Sequence, residues 1–487
     1  MATEYDCVIR AGRVATACDD YSADVAISDG VIRAIGQGLG AGRVEIDATG
    51  RLVLPGGVDS HCHIEQLSAA GIMNADTFES ATVSAAFGGT TTVIPFAAQH
   101  VGMRLRTVVD DYMALAARGA VVDYTFHMIV ADATAEALSD IPGLVAEGHS
   151  SIKLFMTYDR LKVEDEKLLD VLLAARMSGA LVCVHAENHG MIAWMGRRLI
   201  EAGHAAPKFH ALSHPRGSEV EAINRLILCA ELLDQPVMVF HVSTAEGVAA
   251  IRAARGRGVK VFAETCPQYL FLTAADLDKP GLEGAKWMCS PPPREVADQE
   301  ALWQGLALGD LQLISSDHAP YAFDMSGKLK SGKNANFKQI ANGLPGIEAR
   351  LPLLFDAMVS KGRLGLHKFV ELTATAPAKI FNLHPRKGSI AIGADADLVL
   401  WNTNAEVVLE DALMHDRTGY TPYAGRRVRG WPTTVIRRGE VIIDDGVMRA
   451  KPGSGRFLPR TGGPAALPSG QVNADRALAE RLGAGIL

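Results

Sequence analysis

Between residues 53 and 388 one unit repeats: a short apolar run, a polar loop, then a stretch of helical periodicity. The apolar runs fall at 91–96, 124–130, 151–155, 181–184, 237–240, 259–263 and 311–314. A first run leads into Val58-Asp59-Ser60-His61, which makes eight. Helical periodicity fills the gaps, for example at 104–119, 164–179, 219–233 and 245–256. Eight strands alternating with helices predict the α/β class, and specifically a (β/α)8 (TIM) barrel. An open doubly wound sheet is the competing arrangement. No Gly-x-Gly-x-x-Gly stands between the first run and its helix, which weakens the dinucleotide-binding form of that sheet.

The two ends have a different texture. Val8-Ile9-Arg10, Ala23 to Ile27 and Val31 to Ile35 are short strand-like runs separated by Gly or Asp. The same pattern returns at 396–401, 433–436 and 439–443. Neither end has strands enough for an independent sheet. They are predicted to pair into one small β-sandwich domain, residues 1–52 plus 389–450, beside a barrel over 53–388. Residues 451–487, rich in Gly, Pro and Arg, read as an extended tail and a candidate oligomer contact.

The polar residues after the strands carry the chemistry. The first strand ends in His61-Cys62-His63, the fourth carries Lys153, the fifth ends in His185, the sixth in His241 and the eighth in Asp317. Alternate residues of a strand point the same way, so His61 and His63 can share one centre. All strand C-termini of a barrel share one rim, where barrel enzymes do their chemistry. Imidazole and carboxylate suit Zn2+ and related ions. A single strand-end histidine is more often a hydrogen-bonded rim residue; five strand ends in order are hard to obtain by chance. Lys153 fits poorly as it stands, because an ammonium repels cations. Position alone favours a salt-bridged lysine. Carboxylation by CO2 would reverse this, giving an anion with two oxygens.

A net charge of -7 and a pI near 6.1 disfavour a broad grip on nucleic acid. No run of 18 apolar residues predicts a membrane span, and no secretory leader is evident at the N-terminus. Seven cysteines without a CxxC pair suit a reducing cytoplasm better than a disulfide scaffold.

Several segments stand out: Gly57 to His63, Phe87-Gly88-Gly89-Thr90-Thr91, Ile152 to Tyr158, His185-Ala186-Glu187-Asn188, His241-Val242-Ser243-Thr244, Cys289-Ser290-Pro291-Pro292, Ser316-Asp317-His318 and Asn342 to Glu348. Pro377 to Phe381 and Arg386 to Leu398 add to them. Taken together, they resemble the metal-dependent amidohydrolases, and within them the dihydropyrimidinase/hydantoinase group. The resemblance covers nearly the whole chain. It implies hydrolysis of the ring amide of cyclic diamides, dihydropyrimidines or 5-substituted hydantoins, to N-carbamoyl amino acids. It implies two divalent ions with a bridging hydroxide: Zn2+ is expected, and Mn2+ or Co2+ accept similar ligands. One ion would be held by His61, His63, carboxylated Lys153 and Asp317, the other by the same lysine with His185 and His241. Asp317 would be general base then acid, and Tyr158 the oxyanion donor. Backbone groups at Ser290 and Asn342 would hold the ring, with His318 a supporting partner. A homotetramer is common in the family.

Two departures bear on the substrate. His63 is followed by Ile64-Glu65-Gln66-Leu67-Ser68-Ala69-Ala70, where relatives carry a Leu/Phe-rich segment. Glu65 and Leu67 are therefore expected to help form the substituent pocket. Ala319 follows Asp317-His318, where a cysteine is commoner. Allantoinase and cyclic imide hydrolysis are the nearest alternatives. Dihydroorotase is disfavoured, since Glu65 stands where an arginine would meet a substrate carboxylate. A mononuclear deaminase would not need Lys153, and a non-catalytic scaffold would not keep all six ligand positions.

Overall fold

A computed structural model of the protein describes residues 4–68 and 70–484. The central strands run in parallel: Gly57–Cys62, Thr90–Ala98, His127–Ile129, Ser151–Phe155, Leu181–His185, Val237–Val239, Val261–Thr265 and Leu313–Ile314. Cys62 bridges in parallel to His318, just past the last strand, which brings the two ends of the sheet together. The run expected at 124–130 is broken: Asp123–Tyr124 pairs with the second strand, and the strand resumes at His127. Residues such as Val93, Ile94, Ile152, Leu154, Val182 and Val184 are fully buried. Strands covered on both faces must be apolar throughout, which explains why they read as continuous runs.

Local signals start and stop the helices that carry the chain from the rim back to the starts of the strands. Thr244 Oγ1 accepts from the Gly247 N–H at the start of Ala245–Gly256, satisfying one of the donors a helix leaves free. Gly179 ends Asp165–Ser178 at φ 71°, left-handed backbone that favours glycine, and the chain enters the strand Leu181–His185 directly.

The two chain ends do pair. Leu52–Pro55 lies antiparallel to Leu398–Val408, with Val53 opposite Leu400 and Leu54 opposite Val399. Among the described residues, nine strands from the two chain ends form one hydrogen-bonded sheet. Its core includes Ile9, Val25, Ile27, Val53, Leu398 and Ile436. Lys387 joins it to the barrel: its buried ammonium lies 2.7 Å from both Asp123 and Asp397.

The tail is tied to its own barrel. Gly455 N–H donates to Ala120 O and Leu458 N–H to Tyr124 O, each at 2.8 Å. The buried Arg460 guanidinium donates to Phe126 O and Ser151 Oγ, both at 2.6 Å. These partners lie at the starts of barrel strands, so the tail covers the end opposite the histidines. A Cβ at Gly455 would sit 2.1 Å from Val122 O, so only glycine allows this approach. No helix among the described residues is long and apolar enough to cross a membrane.

Candidate metal centre

Strand alternation places His61 and His63 on the cavity side, while Cys62 between them is fully buried. His61 Nδ1 pairs with Glu264 Oε1, so its Nε2 is turned to Asp317 Oδ1 at 3.2 Å. His63 Nδ1 pairs with Gln66 Oε1 at 2.7 Å, leaving Nε2 at 3.5 Å from the same oxygen. One ligand atom from each of His61, His63 and Asp317 thus lies within 4.8 Å of the others. His185 and His241 face each other with ring centroids 4.4 Å apart, and His241 lies 5.3 Å from His61. Fixing one ring nitrogen by a hydrogen bond selects the tautomer and frees the other. For His185 the fixed atom is Nε2, 2.7 Å from Glu187 Oε2.

Lys153 is fully buried and its Nζ has no hydrogen-bond partner. Its immediate neighbours are rings: Nζ lies 4.2 Å from the Phe240 centroid and 4.9 Å from that of Phe155. Desolvation lowers the amine to about 8. Burial, reinforced by the Lys153 charge, holds His61, His185 and His241 below the usual imidazole range. Neutral imidazole is the form that binds metal.

Three of these positions have left-handed backbone without being glycine: Tyr158 at φ 71°, His241 at 41° and Asp317 at 47°. Each costs about 1–3 kcal/mol, a cost met at sites where side-chain direction matters more than local stability. The cavity has a volume of about 470 Å3. Tyr158, Ser290 and Asn342 line it as expected. Burial pushes the Tyr158 hydroxyl well above the ordinary tyrosine range, which keeps it a donor. His318 is not in the lining: Nε2 pairs with Asp76 Oδ2 at 3.1 Å, and its carbonyl accepts from the His63 N–H at 2.6 Å.

Glu65 and Leu67 do not face the cavity, which corrects the expectation for both. The Glu65 carboxylate accepts from the Phe78 N–H at 3.0 Å and pairs with Arg118 at 3.3 Å. Leu67 bridges to Met73 and is 40% exposed. Gln66 and Ser68, on either side of Leu67, line the cavity instead, together with Ala70. Ala69 lies outside the described residues.

Other residues of the site carry no such sequence signal or were passed over. His210 and His214 are buried in the cavity wall. Glu187 holds His185 through one oxygen and His214 through the other, at 2.8 Å. Glu264 stands near the C-terminal end of its strand, so the strand-end rule that selected the histidines would have found it. Tyr321 also lines the cavity.

Residues 52–442 match the amidohydrolase family. The chain is 42% identical over 456 residues to a D-hydantoinase of Rhizobium radiobacter, covering 93% of this chain and 99% of that one. The chain belongs to the amidohydrolase family, in its dihydropyrimidinase/hydantoinase group. A D-phenylhydantoinase of Escherichia coli is 38% identical over 461 residues, covering 93% and 98% of the two chains. The solved dihydropyrimidinase from Brevibacillus agri superposes with a TM-score of 0.91 at 40% identity, covering 94% and 99%. Membership makes this a metal-dependent hydrolase. The donor set fits: a three-residue ligand cluster, two further neutral imidazoles and an orphaned buried amine converge on one cavity.

Proposed function

We propose that the protein hydrolyses the ring amide of cyclic diamides, 5-substituted hydantoins or dihydropyrimidines, to N-carbamoyl amino acids. The observation that carries this reading is the meeting of four histidines, Asp317 and the unpartnered Lys153 amine in one cavity. The hydantoinase relatives support the substrate class.

His61, His63 and Asp317 would hold one divalent ion and His185 with His241 a second, Zn2+ being the expected metal and Mn2+ or Co2+ the alternatives. Carboxylated Lys153 would serve both. At about 8 the amine has a neutral fraction at neutral pH. Neutral Nζ can add to CO2, releasing one proton and forming a carbamate with two oxygens. Bound there, the ions supply Lewis acidity, acidifying water and polarising the scissile carbonyl.

The remaining work belongs to side chains and backbone. Main-chain groups at Ser290 and Asn342 hold the alternating N–H and C=O groups of the ring. Tyr158 donates to the carbonyl oxygen as it gains negative charge. Asp317 takes the proton of the attacking water and passes it to the ring nitrogen as the C–N bond breaks. Water adds once, the ring opens, and no other reactant is consumed.

The test is a turnover panel of dihydrouracil, hydantoin, phenylhydantoin, allantoin, dihydroorotate and succinimide, with metal content measured on the same sample. Hydantoins or dihydrouracil should be turned over fastest. Allantoin or succinimide alone would redirect the reading to allantoinase or cyclic imide hydrolysis.

Substituent selection is assigned to the side chains that line the cavity. Glu65→Ala should leave the ranking of 5-substituted hydantoins unchanged and lower stability by about 0.5–1 kcal/mol, for a partly exposed ion pair and one backbone contact. Ser68→Leu should lower kcat/KM for phenylhydantoin relative to hydantoin by roughly tenfold, a difference of about 1.4 kcal/mol. An altered ranking in the first variant and an unaltered one in the second would reverse the assignment.

The division at 1–52 plus 389–450, 53–388 and 451–487 is retained as part of this reading. Passage of the chain from terminal sheet to barrel between Pro55 and Gly57 supports the first boundary. Seven free cysteines suit the cytoplasm. The homotetramer is checked by light scattering on the eluting protein.

A further inference from the structure

Lys328 is fully buried, and it is not among the residues of the expected site. Among the described residues its amine bonds only to two main-chain carbonyls, Ala341 O at 2.9 Å and Met288 O at 3.4 Å. Ala341 immediately precedes Asn342, and Met288 lies two residues before Ser290. Met288 O also accepts from the Gly343 N–H at 2.9 Å. One amine therefore ties together the two segments that carry the backbone groups assigned to the substrate ring. Lys328 is itself anchored, because its own N–H donates to Ala322 O at 2.9 Å.

Fold stability alone gives little reason for a lysine here. Burying an amine without a carboxylate is unfavourable, and a methionine would fill similar space without that cost. Desolvation brings the group down to about 7. A neutral amine has two hydrogens, matching the two carbonyls, so the contact does not require the charge.

We propose that Lys328 is a positioning residue that braces the Met288–Ser290 and Ala341–Gly343 segments at the spacing the substrate ring requires. This rests on the cyclic-amide reading. The test compares Lys328→Met with the wild-type holoenzyme. The variant should keep its metal content and raise KM for hydantoin about tenfold or more, with a smaller change in kcat, because ring placement is lost while the reacting groups remain. Its crystal structure should show the main chain at Ser290 and Asn342 displaced. A merely structural role would lower melting temperature and active fraction but leave KM unchanged. Unchanged KM in an active enzyme, or an unmoved main chain, overturns the brace. A wild-type enzyme inert toward the whole panel would instead overturn the cyclic-amide reading, and the crystal structure would then decide the brace by itself. If the methionine variant does not accumulate, Lys328→Leu takes its place with the same expected and overturning results, and Lys328→Gln, which retains two amide hydrogens, should raise KM less than either.

Discussion

Lys153→Ala is expected to abolish measurable turnover and to leave the purified protein with at most one equivalent of divalent metal. The lysine is fully buried and its amine has no hydrogen-bond partner, so its removal breaks no bond within the fold. It also relieves the desolvation of a charge. The cavity left by the side chain works the other way, and the two effects offset in part. Activity and stability should therefore separate: turnover of the metal-loaded protein falls by at least about a thousandfold, while the melting temperature, compared between metal-free variant and metal-free wild type, moves by only a few degrees. An added short carboxylate such as formate carries two oxygens into the vacated space and should restore part of the activity. The measurements are metal content by mass spectrometry, turnover with and without formate, and thermal melting. Two metal equivalents with wild-type turnover would reject the carbamate.

Asp317→Asn should lower kcat by about 10²–10⁴-fold, the usual range for losing a positioned general acid–base group. Asparagine has nearly the same shape. Its amide oxygen can still accept from Gln268 Nε2, which lies 3.4 Å from Asp317 Oδ2. What it cannot do is take a proton from water and return it to the leaving nitrogen. KM should change far less than kcat, since the ring contacts lie elsewhere in the cavity. Metal content on the same sample separates proton transfer from ligation. A fully loaded variant with near wild-type kcat would remove Asp317 from the proton path.

The four histidines and Asp317 were legible because strand ends are local features, whereas Lys153, inside the strand Ser151–Phe155, entered the proposed set only through the family resemblance. An apolar run sets the strand, its length sets the rim, and the next polar residue faces the cavity. Glu65 and Leu67 were misread for an equally local reason. After His63 the chain turns through left-handed backbone at Glu65, φ 51°, and the facing residues become Gln66, Ser68 and Ala70. Their phase could not be counted from the histidines. His210, inside the short helix Phe209–Ser213, and His214, which ends it, carry no strand-end signal, so nothing local placed them in the cavity wall.

The period of apolar runs, their order and the polar residues that end them determined the barrel, the pairing of the chain ends and the set of residues at the rim. Those are consequences of backbone geometry over a few residues. Only the tertiary structure decided which partner fixes each ring nitrogen, which carbonyls Lys328 braces, and that the tail closes the opposite end. His61 and Glu264 are 203 residues apart in sequence, yet their side chains meet. Such contacts depend on how strands close around one another, and no local period encodes that distance.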